Sequence, residues 1–153
     1  MRTYDNEEIG KIVIIKNIIF ENSVTNKKES DHAWKFGRPC LIIYSDDEYD
    51  YFLTLRTEIK YPRYKRQFYE LTENDLLYKN KYRHNIYRAK TGRKKIFNSN
   101  VNLETVFKLP ISGHDEVAKI KFDTYKDLIQ EFEIFHKNKP IEEIMKKAKT
   151  LEK

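Results

Sequence analysis

The stretch from residue 37 to residue 56, GRPCLIIYSDDEYDYFLTLR, decides the fold. Two runs rich in apolar, β-branched and aromatic residues, 40–44 and 51–55, flank a connection of Ser, Asp, Glu and Tyr. Short β-prone runs joined by turn-forming residues indicate a β-hairpin. The acids of the connection could also bind a divalent cation, but no second acidic cluster supplies the remaining ligands. We therefore predict a hairpin here and no metal site.

Further β-prone segments lie on both sides of this hairpin. Residues 10–20, GKIVIIKNIIF, form an apolar run that predicts a buried strand opening the sheet, and a long polar loop follows at 21–35. Residues 117–122, VAKIKF, alternate apolar and polar side chains, which predicts the last strand of the sheet. Residues 101–109 fit either a strand or a short helix, and the sequence does not decide between them.

Three segments are predicted to be helical. Residues 72–82, TENDLLYKNKY, have Thr72 as N-cap and Asp75 three residues later. A second helix begins at 123–124 and carries an apolar stripe, and a third runs from Pro140, which suits the first helical position, to Leu151. With 153 residues and no Gly/Ser linker, we expect a single α+β domain over residues 1–153, with C-terminal helices at 124–152.

The net charge of +6 is concentrated in one segment. Residues 60–95 contain 12 basic and three acidic residues, a net charge of +9, so the remainder of the chain carries −3. Seven aromatic residues share this segment with the cations: Tyr61, Tyr64, Phe68, Tyr69, Tyr78, Tyr82 and Tyr87. Cations that neutralise phosphates beside rings that stack on unpaired bases are typical of RNA-binding surfaces. The alternative is that the rings pack on the core and the charges are solvated.

We predict that RNA-contacting side chains come from this segment and from the loop before the hairpin. The predicted contacts are Trp34, Lys35, Arg63, Lys65, Arg66, Lys79, Lys81, Tyr82, Arg83, His84, Arg88, Lys90, Arg93, Lys94 and Lys95. Trp34, beside the Gly-Arg-Pro turn, is either a core plug or a platform for base stacking. His114 and His136 are expected to be surface residues.

Composition excludes several classes of function. Four glycines leave no room for a Gly-rich phosphate-binding loop, and one cysteine with four scattered histidines gives no closed zinc-ligand spacing. We therefore expect no metal and no cofactor. Cys40 lies in an apolar run and is interpreted as a small buried hydrophobe, and the sequence shows no signal-peptide pattern or membrane-spanning run. A cytoplasmic protein without a membrane partner is expected.

The order of these motifs resembles a known toxin family. The opening GKIVII, the Gly-Arg-Pro turn leading into CLII, and FLTLRTEIK at 52–60 resemble the MazF/Kid pattern, in which a G-x-x-R-P-x-L-V-I run precedes a P-L-T-S-type strand end. The basic segment that follows resembles the type III toxins of the ToxN, AbiQ and CptN group, and CptN most of all. The resemblance implies an SH3-like antiparallel β-barrel with strands over 10–60 and 101–122 and a basic helical insertion over 60–95.

The resemblance also implies an activity, because members of this group are endoribonucleases of type III toxin-antitoxin systems. The expected reaction is metal-independent attack by the RNA's own 2′-hydroxyl, which leaves a 2′,3′-cyclic phosphate and a 5′-hydroxyl. The expected partners are substrate RNA and a small, structured, repeat-derived antitoxin RNA that neutralises the toxin, with a higher-order toxin-RNA assembly as a further expectation. A competing hypothesis is a non-catalytic RNA- or DNA-binding regulatory module.

Candidate catalytic residues follow from the matched motifs. Arg38 matches the family's Arg before Pro, and Thr57 best matches the Thr or Ser of the strand-end motif. Thr54 stands where the family has proline, and Arg56 stands where it has threonine, so the choice among Thr54, Arg56 and Thr57 stays open. The arginines are expected to stabilise the charge that develops on the phosphate.

Proton transfer needs a further group, for which Lys60 and His32 are the candidates. Lys60 follows the hairpin, and His32 lies in the long polar loop. The alternative reading of Arg38 is structural, as the partner of an acid such as Asp46 or Asp50.

Overall fold

A computed structural model describes residues 7–15, 21–22, 27–28, 38–56, 67–79, 98–111 and 113–150. The strands of this part are β1 Lys11–Ile15, β2 Glu21–Asn22, β3 Lys27–Lys28, β4 Arg38–Ser45, β5 Tyr49–Arg56, β6 Phe68–Thr72, β7 Leu76–Lys79, β8 Asn98–Asn102, β9 Phe107–Pro110, β10 Asp115–Ile120 and β11 Lys149–Thr150. The helices are a 3₁₀ turn at Glu73–Asp75, α1 at Phe122–Phe135 and α2 at Ile141–Met145.

Nine of these strands form one sheet, and seven of them follow the order β11-β9-β5-β4-β1-β10-β7. β8 extends it by pairing with both β5 and β6, while β2 and β3 form a separate pair. Every pairing is antiparallel except that of β11 with β9. The described elements therefore form an α+β fold, as predicted. Within them, β7 and β11 end the sheet without pairing with each other, so the sheet is not closed.

The β4-β5 hairpin forms as predicted and lies inside the sheet. Leu41 pairs with Leu53 and Ile42 with Phe52, and all four side chains are fully buried. At the turn, the Asp46 carboxylate accepts hydrogen bonds from the backbone amides of Glu48 and Tyr49, at 2.8 and 2.7 Å. An Asp side chain stabilises a tight turn when it accepts hydrogen bonds from backbone amides two and three residues further along the chain. Asp46 thus stabilises the turn itself.

Helix α1 packs against the hairpin at an irregular point of β4. The strand register slips by one residue between Ile42 and Tyr44, so Ile43 is skipped in the pairing with β5. The Tyr125 hydroxyl donates a hydrogen bond to the Ile43 carbonyl at 2.7 Å in a buried position. Leu128 and Phe132, one and two turns further along the helix, are fully buried. The apolar stripe predicted for this helix is confirmed as part of the core.

The helix predicted at 72–82 is wrong. A 3₁₀ turn at Glu73–Asp75 is followed directly by strand β7. The predicted capping geometry does form, because the Thr72 backbone amide donates to the Asp75 carboxylate at 2.8 Å. Tertiary pairing then overrides helix propensity, since Leu76 pairs with Ile120 of β10 and buries its side chain. The described part of the predicted helical insertion, residues 67–79, is accordingly strand and 3₁₀ turn.

The remaining predictions meet mixed outcomes. Residues 101–109, undecided from sequence, contribute to two strands, β8 and β9. The last predicted strand is confirmed as β10, and the first is confirmed as β1, with 16–20 outside the described residues. The third helix is shorter than predicted: α2 ends at Met145, because Lys149 and Thr150 extend alongside β9 and the Lys149 amide donates to the Val106 carbonyl at 2.9 Å.

Two neighbouring residues of α1 test how the helix is anchored. Replacing the fully buried Phe132 by alanine is expected to lower the free energy of unfolding by about 3–5 kcal/mol, because the lost ring leaves a cavity. The matched control is Ile134→Ala, whose side chain is 54% exposed and whose effect is expected to stay within about 0.5 kcal/mol. Urea denaturation of the three proteins measures both values. Equal effects of the two substitutions would contradict this packing.

Candidate functional site

Four of the predicted functional residues lie in the described part of the chain. Arg38 begins β4, Thr54 and Arg56 lie at the end of β5, and Lys79 ends β7. The other predicted catalytic residues lie outside the described residues: His32, Thr57 and Lys60. So do the other predicted RNA contacts: Trp34, Lys35, Arg63, Lys65, Arg66, Lys81, Tyr82, Arg83, His84, Arg88, Lys90, Arg93, Lys94 and Lys95.

The strand register brings Arg38, Thr54 and Arg56 to the open end of the hairpin, opposite its turn. Cys40 pairs with Thr54, and the same register carried two residues further sets Arg38 across from Arg56. Residues opposite each other in an antiparallel pair point to the same face, with Cβ atoms about 5 Å apart. The Arg38 side chain reaches across to β5, where its Nη1 donates to the Leu55 carbonyl at 3.2 Å. The register therefore places the two arginines at the same end of the sheet.

Burial separates the three candidates. Arg38 and Arg56 are both half-buried, so each keeps part of its surface in solvent. Thr54 is only 5% exposed. A bound phosphate could reach the guanidinium groups more readily than the Thr54 hydroxyl. Of the residues that sequence left open, the geometry therefore favours Arg56 over Thr54 as a phosphate ligand.

A buried asparagine holds the end of β5, and the sequence interpretation missed it. Asn100 of β8 pairs with Arg56, is 7% exposed, and donates from its side-chain amide to the Arg56 carbonyl at 3.4 Å. A second buried amide lies on the same strand: Asn102 accepts a hydrogen bond from the Gln67 side chain at 3.1 Å. Asparagine is depleted in strands, so three asparagines in the NSNVN strand indicate a special role for these side chains. This indication can be used only once the segment is known to be a strand. Asn100 thus fixes the backbone, rather than the guanidinium, of Arg56.

The proposed ion pair of Arg38 with Asp46 or Asp50 is wrong. Both acids lie at the turn, whereas Arg38 lies at the other end of β4, about 20 Å away at 3.3 Å per residue. Asp46 accepts from the Tyr51 hydroxyl at 2.6 Å, and this bond and two backbone amides lower the pKa of its carboxyl against the effect of burial. Asp50 accepts from Ser45 at 2.9 Å. The turn holds both carboxylates.

Lys79 is not brought to the arginines by the sheet. Three strands, β4, β1 and β10, separate β7 from β5 in the strand order. The Lys79 ammonium forms an ion pair with Glu73 of the preceding 3₁₀ turn. β7 pairs with β10 and not with β4 or β5, so no strand pairing sets Lys79 beside Arg38 or Arg56.

The described aromatic residues of the basic segment have structural contacts of their own. Tyr69 packs against the core, and its hydroxyl donates to Asp127 of α1 at 2.6 Å. Tyr78 is 43% exposed, with its hydroxyl donating to Glu116 at 2.7 Å. For Tyr69 the core-packing alternative therefore holds, whereas the Tyr78 ring keeps an accessible face. The tyrosines at 61, 64, 82 and 87 lie outside the described residues.

His114 and His136 are half-buried, so the expectation that both are surface residues is wrong. The His114 ring packs edge-on against Phe52, with ring centroids 5.4 Å apart, and its Nε2 lies 3.8 Å from the Asp50 carboxylate. His136 follows α1, packs against Phe132, and has a ring nitrogen 2.7 Å from the Leu103 carbonyl. Both rings are part of the fold's packing.

Comparison with models of known protein families finds no match, and no curated protein is significantly similar to the chain. Neither described α-helix has the length and apolar composition that a bilayer-spanning helix needs. In the described ranges, no three His, Cys, Asp or Glu side chains are grouped so as to hold a metal ion.

The buried carboxyl of Asp50, which is 1% exposed, gives a pH-dependent prediction. Burial raises its pKa above the ordinary value of 3.8, although the Ser45 hydrogen bond and nearby His114 oppose the shift. A raised carboxyl pKa means that the folded protein holds the proton more tightly than the unfolded chain. The resulting stability is complete below 3.8 and is lost as the pH rises through the raised pKa.

Replacing Asp50 by asparagine removes this ionisation and keeps a polar partner for Ser45. We expect the free energy of unfolding of the wild type, minus that of Asp50→Asn, to be smaller at about pH 8 than at about pH 4. The reason is that the raised pKa of Asp50 makes its ionisation costly in the folded protein. Urea denaturation at both pH values measures the difference. The control is Asp47→Asn, at an exposed position of the same turn, which makes the same chemical change and leaves the Asp50 carboxyl in place. A difference for Asp50→Asn that stays constant with pH would contradict the burial argument.

Proposed function

We propose that this protein is the toxin of a type III toxin-antitoxin system, a metal-independent endoribonuclease that cuts single-stranded RNA. The proposal rests on the strand register, which, extended two residues beyond the Cys40–Thr54 pair, sets Arg38 and Arg56 on one face at the open end of the β4-β5 hairpin. Arginine suits a phosphate site because its planar fork can bind two phosphate oxygens and stays charged at every relevant pH. Two such groups can hold one scissile phosphate between them.

The proposed reaction uses the 2′-hydroxyl of the nucleotide before the scissile bond. Its oxygen attacks the phosphorus as a base removes its proton, the bond from phosphorus to the 5′-oxygen breaks, and an acid protonates that oxygen. The products are a 2′,3′-cyclic phosphate and a 5′-hydroxyl. Arg38 and Arg56 stabilise the charge on the non-bridging oxygens, and Thr57 orients the phosphate. Lys60 or His32 transfers the protons.

The proposed fold is an SH3-like barrel. Its support is the continuous strand order β8-β5-β4-β1-β10-β7, in which β6 pairs with β8 and is joined to β7 by the 3₁₀ turn. In such a barrel, β6 and β7 would be the two strands where the sheet closes, and the 3₁₀ turn already connects them. The barrel would leave the open end of the hairpin at its rim, where a strand of RNA has access.

The proposed inhibitor is a small, structured, repeat-derived antitoxin RNA bound by the basic segment, and the two assemble into a higher-order complex. The support is the net charge of +9 over residues 60–95, which matches a polyanion. A cytoplasmic location belongs to the same proposal. Its support is Cys40, which is a buried free thiol, as expected in a reducing compartment.

The second candidate function is a non-catalytic RNA- or DNA-binding regulatory module. One observation favours it: the described end of the hairpin supplies two arginine cations and a nearly buried threonine, a set that suits phosphate binding. Cations alone bind a phosphate backbone without breaking it. The two functions differ in whether bound RNA is cut.

The test is incubation of the purified protein with 5′-labelled single-stranded RNA in excess chelator. We expect fragments that end in a 2′,3′-cyclic phosphate, and Arg38→Ala or Arg56→Ala should slow their formation by about 10²–10³-fold, because each removes a charge-stabilising donor. Arg38→Lys keeps the charge without the fork and should fall between alanine and the wild type. The matched control is Lys121→Ala, an exposed cation next to α1, which should cut at the wild-type rate.

Each outcome separates the hypotheses. Intact RNA that migrates as a slower, protein-bound band supports the regulatory module and contradicts the nuclease. Cleavage that is equally fast in Arg38→Ala and the wild type removes Arg38 from the site. Circular dichroism of each variant establishes that the fold is retained.

A further inference from the structure

A second candidate site lies far along the chain from the hairpin, in a cleft of about 390 Å³ beside the two helices. Its walls are the turn after α1, helix α2 with the residues that follow it, and the link between β8 and β9. The volume lies within the range of sites that hold small organic ligands. None of the predicted catalytic or RNA-binding residues lines this cleft.

Four lysines converge on the cleft from two separate turns. Lys137 and Lys139 come from the turn after α1, and Lys147 and Lys149 come from the segment after α2. Two features of the backbone place them there. Lys137 adopts a left-handed conformation, with φ of 62°, which ends α1 and turns the chain. Lys149 is held beside β9, where its backbone amide donates to the Val106 carbonyl at 2.9 Å.

The charge of the cleft is positive overall. Two acids, Glu104 and Glu143, line it together with the four lysines, which leaves a net charge of +2. Burial raises the pKa of Glu104, although nearby Lys149 opposes the shift. The four lysines outnumber the two glutamates, so a ligand meets more positive than negative charge.

The floor of the cleft is apolar and partly aromatic. Val106 and Ile144 are buried, and the half-buried Phe135 ring lies beside the His136 ring, with centroids 5.2 Å apart. A cleft lined by both apolar side chains and lysines is complementary to a ligand that joins a flat, weakly polar ring to an anion. Nucleoside phosphates have this composition: the base can pack on the floor while the phosphate binds the lysines.

We infer that this cleft binds a nucleoside phosphate, with the base over the Phe135 side and the phosphate on the lysine rim. The ligand is either one nucleotide of an RNA strand, in which case the inference rests on the proposed function and extends its RNA footprint, or a free mononucleotide. The sequence analysis missed the site because it averaged the charge over all residues outside 60–95, which sum to −3, whereas residues 137–149 alone hold five lysines and two glutamates.

The test uses two probes and two double variants of equal charge change. The cleft variant is Lys147→Glu/Lys149→Glu, and the control is Lys126→Glu/Lys146→Glu, which alters exposed lysines that do not line the cleft. The probes are adenosine 5′-monophosphate and a 12-nucleotide RNA with every 2′-hydroxyl methylated. The methylated RNA cannot undergo 2′-hydroxyl attack, so its binding is measured independently of cleavage.

We expect the cleft variant to bind the methylated RNA roughly tenfold or more weakly than the control, because two charge-assisted contacts become repulsive. The slope of log affinity against log salt should also become shallower by about 1.4, at roughly 0.7 per lost contact on a single strand. A parallel loss for adenosine monophosphate identifies a site that also takes free nucleotides. Loss for the RNA alone identifies a site for one unit of a strand.

Equal affinities of the cleft variant and the control overturn the inference, and so does the failure of both probes to bind the wild type. Amide NMR shifts in the wild-type protein give a check that needs no variant. Shifts on adding either probe should centre on 137–149, and shifts confined to other residues also overturn the inference. A wild type that binds methylated RNA in the cleft but cuts no RNA would sink the nuclease proposal and leave this inference standing.

Discussion

The pairing of β4 with β5 is the interaction on which the rest of the structure depends. Both strands run through the middle of the sheet, with β1 on one side and β9 and β8 on the other. Consecutive residues along each strand are buried, from 40 to 43 and from 50 to 55. Such continuous burial means that both faces are covered, which makes the hairpin the centre of the core. The Tyr125 hydroxyl at the Ile43 carbonyl connects α1 to the point where the ladder is irregular.

Strand β5 also organises the two candidate sites, because its outer edge is shared by two strands. β9 pairs with its first half, through Phe52, and β8 pairs with its last two residues. At the β8 end, Asn100 holds the backbone of Arg56 opposite Arg38. Between β8 and β9 the chain leaves the strand edge, and there Glu104 and Val106 enter the wall of the lysine-lined cleft. The change of pairing partner along β5, from β9 to β8, thus lies between the two candidate sites, the arginine pair and the lysine-lined cleft.

The sequence predicts those elements whose signal is local. The hairpin and α1 are recognisable because apolar periodicity and turn residues agree with the final burial, and the place of Arg38 at the start of the hairpin follows from the same local pattern. The helix predicted at 72–82 is wrong because the capping pattern at Thr72 begins only a 3₁₀ turn. After that turn, pairing with β10 determines the conformation of the chain.

The features that sequence could not give are those made by long-range contact. Asn100 has a role only because β8 pairs with the end of β5, and asparagine is otherwise a poor strand residue. The four cleft lysines lie within residues 137–149, which hold five lysines and two glutamates, but this local excess is lost when all residues outside 60–95 are averaged together. The cleft that the lysines line is made only by the fold. The early end of α2 likewise depends on β9 accepting Lys149 and Thr150 as a parallel neighbour.

The central claim is that Arg38 and Arg56 bind one RNA phosphate together, and NMR of their side-chain Nε–Hε groups tests it most directly. The measurement is a titration of the labelled protein with single-stranded RNA whose 2′-hydroxyls are methylated. The account predicts that both resonances shift along the same saturation curve, since one phosphate contacts both groups. Saturable binding of the RNA with both resonances unmoved would contradict it.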